Sequence, residues 1–117
     1  MLDSPVNIEA IDHIVLTVKD INATCAFYAQ VLGMRVITFG SGRKALSFGQ
    51  QKINLHQYGY EFEPKAKEPT PGSADLCFVT EVSIPKVIEH LWESGVAILE
   101  GPVHRTGAVG TIIVIRT

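Results

Sequence analysis

"IDHIVLTVKDINATCAFYAQVLG", residues 11–33, changes its hydrophobic period halfway along. Over 11–18 the side chains alternate. Ile14, Leu16 and Val18 point one way and His13, Val15 and Thr17 the other, the period of a strand, with β-branched residues in support. From Asp20 onward Ile21, Cys25, Tyr28 and Leu32 recur at helical spacing. Asp20 stands where an N-cap is needed, and Gly33 where a helix stops. Three short strand candidates follow, "MRVITF" at 34–39, "KALSFG" at 44–49 and "KINLHQY" at 52–58. The breaks "GSGR" and "GQQ" between them suit hairpin turns. The order is βαβββ.

The same order then restarts. "GYEFEPKAKEPTPGS" at 59–73, rich in proline and glycine, reads as a linker. Beyond it "ADLCFVT" at 74–80 looks like a strand and "SIPKVIEHLWES" at 83–94 like a helix with Ile84, Ile88 and Leu91 inward. Ser83 is its N-cap and Pro85 lies in the first turn, where a missing N–H is harmless. Gly95 ends it, and "VAILEG" at 96–101 is again strand-like. Gly33 and Gly95 stand 62 residues apart, as do His13 and Asp75. The helices fit an offset of 63, pairing Ile21 with Ile84, which requires one extra residue near Thr80–Val82. A uniform offset of 63 would pair Asp12 with Asp75 and put Asp75 on the wrong face; the first alignment keeps strand parity. The expected fold class is therefore α+β, one domain over 1–117. Module one spans about 9–58, the linker 59–73 and module two 74–117, the two βαβββ units forming curved mixed sheets around a cleft.

Bulk properties narrow the partners. The chain has 117 residues, 46% hydrophobic and 19% charged, the balance of a globular domain. Ten basic against twelve acidic residues give a net charge of −2 with no basic stripe, so nucleic acid is not an expected partner. Apolar runs such as "TIIVI" at 111–115 are too short to cross a bilayer. "MLDSPVNIEA" has neither the cationic nor the apolar region of a secretory signal. Cys25 and Cys77 fall inside a predicted helix and a predicted strand without disulfide-type spacing, which suits buried thiols in a reducing cytoplasm.

The chemistry-bearing residues converge on the cleft. His13 begins the first strand on the face away from its helix, His56 lies opposite Ile53 and Leu55, and Asp75 enters from module two. Imidazoles with a carboxylate suit a divalent ion, Fe2+, Mn2+, Ni2+ or Zn2+, whose open positions accept substrate oxygens. His104 and Arg105, in the loop-like "PVHRTGA", are candidates for binding an anionic or carbonyl-bearing substrate. His90 and Trp92 are placed on the exposed side of the second helix, and Arg43 and Lys44 read as turn and strand-edge charges.

"DHIVLTVKDINATCAFYAQVLGM" resembles the opening βα unit of the glyoxalase, bleomycin-resistance and extradiol-dioxygenase superfamily, the vicinal oxygen chelate proteins. "RKALSFGQQKINLHQ", "EFEPKAKEPTPGSADLCFVTE" and "EGPVHRTGA" are similar to the glyoxalase-domain-containing protein 5 group. The resemblance, over about residues 9–110, implies paired βαβββ modules and a metal cleft with ligand positions at His13, His56 and Asp75. Relatives continue with a further strand, an aspartate–proline–aspartate turn and a last strand bearing a glutamate ligand. Here "GAVGTIIVIRT" ends the chain, so a missing last strand is expected, with either reduced stability or completion by another chain, a homodimer. The implied function is a metal-dependent lyase, isomerase or dioxygenase acting on a small oxygen-bearing substrate. The alternative is a non-catalytic protein that sequesters a small molecule or drug. Metal dependence separates the two.

Overall fold

The computed structural model describes residues 3–107 and 109–116. The first module is the expected βαβββ unit: β1 (Ile14–Val18), α1 (Ile21–Gln30), β2 (Arg35–Phe39), β3 (Arg43–Phe48) and β4 (Gln51–Gln57). Its four strands form one mixed sheet in the order β1-β4-β3-β2, with β1 and β4 parallel and the other pairs antiparallel. Helix α1 starts at Asp20, whose Oδ1 accepts from the backbone N–H groups of Asn22 and Ala23. The Gln57 side chain ties this start to the end of β4, accepting from Ile21 N–H at 3.0 Å and donating to the Lys19 carbonyl. After the helix Gly33 takes φ +71°, and Met34 N–H returns to the Tyr28 carbonyl.

The alternation read from the sequence sorts the two faces. Ile14, Leu16 and Val18 of β1, with Ile21, Cys25 and Leu32 from the helix segment, pack against the buried cluster of Tyr28, Met34, Leu46, Ile53 and Leu55. Fully burying each large aliphatic side chain contributes about 1.5–3 kcal/mol. The opposite face of the sheet carries His13, Val15 and Thr17 as the parity required.

The second half holds α2 (Ile84–Glu93), β5 (Ile98–His104) and β6 (Thr111–Ile115), the two strands forming a separate antiparallel pair. Helices α1 and α2 differ by 63 residues at both ends, the offset expected for them. Gly95 at φ +72° repeats Gly33. Leu91 is buried, with Ile84 and Ile88 half-buried beside it. Ser83 occupies the N-cap position without a side-chain capping bond, and Pro85 lies in the first turn. Within the described residues no helix is long and apolar enough to cross a membrane.

Two expectations fail here. Residues 74–80 join no strand ladder. In module one β1 pairs only with β4; among the described residues no strand stands in that relation to 74–80, and an alternating segment without a partner forms no ladder. The segment is instead held by its side chains, Leu76 against the main core and the Phe78 ring 5.5 Å from Phe48 and 6.4 Å from Tyr28. Cys77 is therefore exposed rather than buried in a strand, while Cys25 is half-buried in α1; both are free thiols.

Candidate binding face on the first sheet

Strand register places the functional side chains. On the face away from α1, Thr17 of β1 lies opposite His56 of β4. The Lys44–Leu55 pair makes Arg43 the next neighbour of His56 on β3, and Arg43 in turn pairs with Phe39 of β2. Phe39, Arg43, His56 and Thr17 thus form one row across the four strands. The adjacent row is Ile37, Ala45, Asn54 and Val15. Beyond it lie Arg35, Ser47 and Lys52, with His13 at the next position ahead of Ile14.

The first two rows bury polar side chains at their centre. His56 is 1% exposed and Asn54 7%. Four buried side-chain atoms among the described residues have no hydrogen-bond partner: Arg43 Nε, Asn54 Oδ1 and both ring nitrogens of His56. All four sit on β3 and β4 on this face. From the linker Phe62 closes over them, its ring 4.4 Å from the Arg43 guanidinium carbon and 5.7 Å from the His56 ring. Phe39 stacks on the same guanidinium at 5.2 Å and also meets Lys52 Nζ at 5.2 Å. Burial pushes His56 below the usual imidazole range, and the neighbouring Arg43 charge adds to the effect. The face is electropositive, since Arg35, Arg43 and Lys52 take part in none of the ion pairs among the described residues.

The expected metal residues are not drawn together. His13 is exposed, and its Nδ1 donates to Asp12 Oδ2 at 2.7 Å, a bond that holds the Asp12 carboxyl below the usual range. Four residues separate its register position from that of His56, about 13 Å along the strands. Nitrogens sharing one Zn2+ each lie about 2.1 Å from it. Asp75 is exposed on the unpaired segment, whose neighbouring Leu76 packs on the helix-covered side of the sheet. No group of three or more histidine, cysteine, aspartate or glutamate side chains could hold an ion among the described residues. These residues do not fit a shared ion, and the guanidinium beside His56 opposes a second cation there.

The remaining candidates also move. His104 closes β5 rather than sitting in a loop, and Arg105 pairs with Glu100. His90 is exposed as expected, yet its Nε2 lies 2.8 Å from the Val31 carbonyl, linking the two helices. Trp92 is exposed. Arg43 is the residue of this face that sequence reasoning missed: taken for a turn charge, it lies against the Phe39 and Phe62 rings beside His56. The adjacent "RKALSF" and "KINLHQ" stretches carried the signal, because a hairpin joined by "GQQ" sets Arg43 across from His56 once its register is known.

Comparison with known proteins gives consistent results. The profile of the Glyoxalase/Bleomycin resistance protein/Dioxygenase superfamily matches residues 10–116. A virulence protein of Salmonella typhimurium, STM3117, is 58% identical over 106 residues, 91% of this chain and 74% of the relative. The glyoxalase domain-containing protein RDO1 of Mycosarcoma maydis is 57% identical over 107 residues; the match covers 92% of this chain but only 60% of that protein. The crystal structure of STM3117 superposes with a TM-score of 0.87 at 57% identity, covering 94% of this chain and 87% of that one. At 22% identity and a TM-score of 0.62, a glutamate-to-glutamine mutant of the fosfomycin resistance protein FosX of Listeria monocytogenes, crystallised with Mn(II) and 1S,2S-dihydroxypropylphosphonic acid, shares the fold; the match covers 93% of this chain and 82% of that one.

Proposed function

The chain belongs to the Glyoxalase/Bleomycin resistance protein/Dioxygenase superfamily, and from that premise we propose that it binds a small oxygen-bearing molecule on the face of its first sheet that lies away from α1. One observation carries this reading: every buried, unpartnered side-chain polar atom among the described residues lies on that face, in two adjacent rows. A buried polar group left unmatched costs about 1–3 kcal/mol. Such groups gathered at one place are the mark of a site built for a ligand rather than for stability. Phe39 and Phe62 supply apolar walls, and Arg43, Asn54 and His56 supply the few polar groups that orient what enters.

The metal-dependent enzyme, a lyase, isomerase or dioxygenase, stands as a second reading because of His13. Its Nδ1 is held by Asp12, leaving Nε2 free, which is how carboxylates orient metal-bound imidazoles. A divalent ion there would supply Lewis acidity; no further ligand among the described residues joins it. A homodimer and a cytoplasmic, reducing location complete the proposal, the latter supported by the two free thiols.

Titrating a panel of neutral and anionic hydroxy- and keto-compounds, with and without chelator, separates the readings. The first expects saturable binding that survives chelation and is lost in His56→Phe. Binding that appears only with Mn2+, Ni2+, Zn2+ or Fe2+, and vanishes in His13→Ala, would overturn it in favour of the enzyme.

A further inference from the structure

We propose that the Arg43–His56–Asn54 constellation selects an organic acid carrying a hydroxyl next to its carboxylate, recognised without a metal. The inference rests on the small-molecule reading above and names the ligand class. Arg43 Nε is a permanent donor on a permanent cation, and it is buried without an acceptor. A histidine ring always bears at least one N–H, so His56 adds a second donor directly across the strand pair. An oxyanion placed between them would take both bonds, and charge-assisted bonds of this kind are the strong ones. Asn54 Oδ1, buried one row away, is an acceptor without a donor. Adjacent rows on one face are about 7 Å apart. A group that accepts at one end and donates a few ångströms away gives a partner to Arg43 Nε, to one His56 ring nitrogen and to Asn54 Oδ1, which is what a 2-hydroxycarboxylate presents.

The surroundings favour the anion. Arg35 and Lys52 flank the next row of the same face, and the Phe39 and Phe62 rings hold the Arg43 guanidinium by stacking rather than by neutralising it. Ala45, fully buried beside Asn54 in the same row, is the smallest side chain of the two rows. The carboxylates nearest this face, Glu61 and Asp12, are already engaged, with Gly59 N–H and with His13.

The test follows the Arg43 Nε–H and His56 ring resonances by NMR while the chelator-treated 117-residue chain is titrated with lactate, propionate or lactamide. Lactate is expected to shift both signals saturably, propionate more weakly and lactamide not at all. Arg43→Met, which keeps the stacking stem, should weaken lactate binding about tenfold or more, with its melting temperature confirming that it folds. Equal shifts with lactamide and lactate would overturn the anion assignment and leave the small-molecule site standing. Unchanged lactate binding in Arg43→Met would overturn the role of Arg43. No shift with any of the three compounds would bring down both readings.

Discussion

At His56 two properties pull against each other: the ring is almost wholly buried, and neither nitrogen is paired. Replacing it with phenylalanine removes the unmatched groups while keeping a planar ring, so His56→Phe is expected to leave the unfolding free energy unchanged or to raise it by about 1 kcal/mol, while abolishing ligand binding. Urea unfolding checks the first half and titration the second. The wild-type protein should also show a pH signature. The folded-state pKa of His56 is lowered, so below about pH 6.5 the unfolded chain takes up a proton that the folded chain refuses. Stability therefore falls as pH drops below about 6.5 and is level above it; His56→Phe should flatten that slope between about pH 5 and 6.5. Alternation alone revealed which way His56 points. It could not reveal the registers: that of β1 on β4 parts His56 from His13, and that of β3 on β4 brings Arg43 to its side.

At the scale of single elements the β1–α1 unit was legible because every signal in it is local: a parity change, a capping aspartate and a stopping glycine. Asp20→Ala, which removes acceptance of two helix N–H groups, should cost about 1 kcal/mol in chemical denaturation. The segment 74–80 has the same alternation and no ladder, since a strand needs a partner as well as a pattern. Hydrogen exchange is expected to run faster at its amides than at those of β1; equal protection would mean that a partner strand covers it in solution. Gly101, where the β5–β6 register shifts, has φ +106°, and an added Cβ would lie 2.6 Å from the Ile112 carbonyl oxygen. Gly101→Ala is accordingly expected to destabilise by about 2 kcal/mol or more, read as a lowered denaturation midpoint.

Over the whole molecule the helices and the positive-φ glycines after them recur at the spacing readable from the sequence, while the described strands of the second half do not repeat the sheet of the first, which was not readable. The radius of gyration is 16.3 Å, against about 13 Å for a compact domain of this length. Apolar side chains such as Val79 and Trp92 stand exposed. Both features support the proposed homodimer, and sedimentation velocity at micromolar concentration should show a dimer; a single monomeric species would contradict it. What occupies the His56 face decides what the molecule does. A crystal structure of the protein grown with lactate and chelator is expected to show the carboxylate on Arg43 Nε and the hydroxyl on Asn54 Oδ1. Density instead for an ion bridging His13 and His56, or for a partner copy's side chains filling the space, would contradict it.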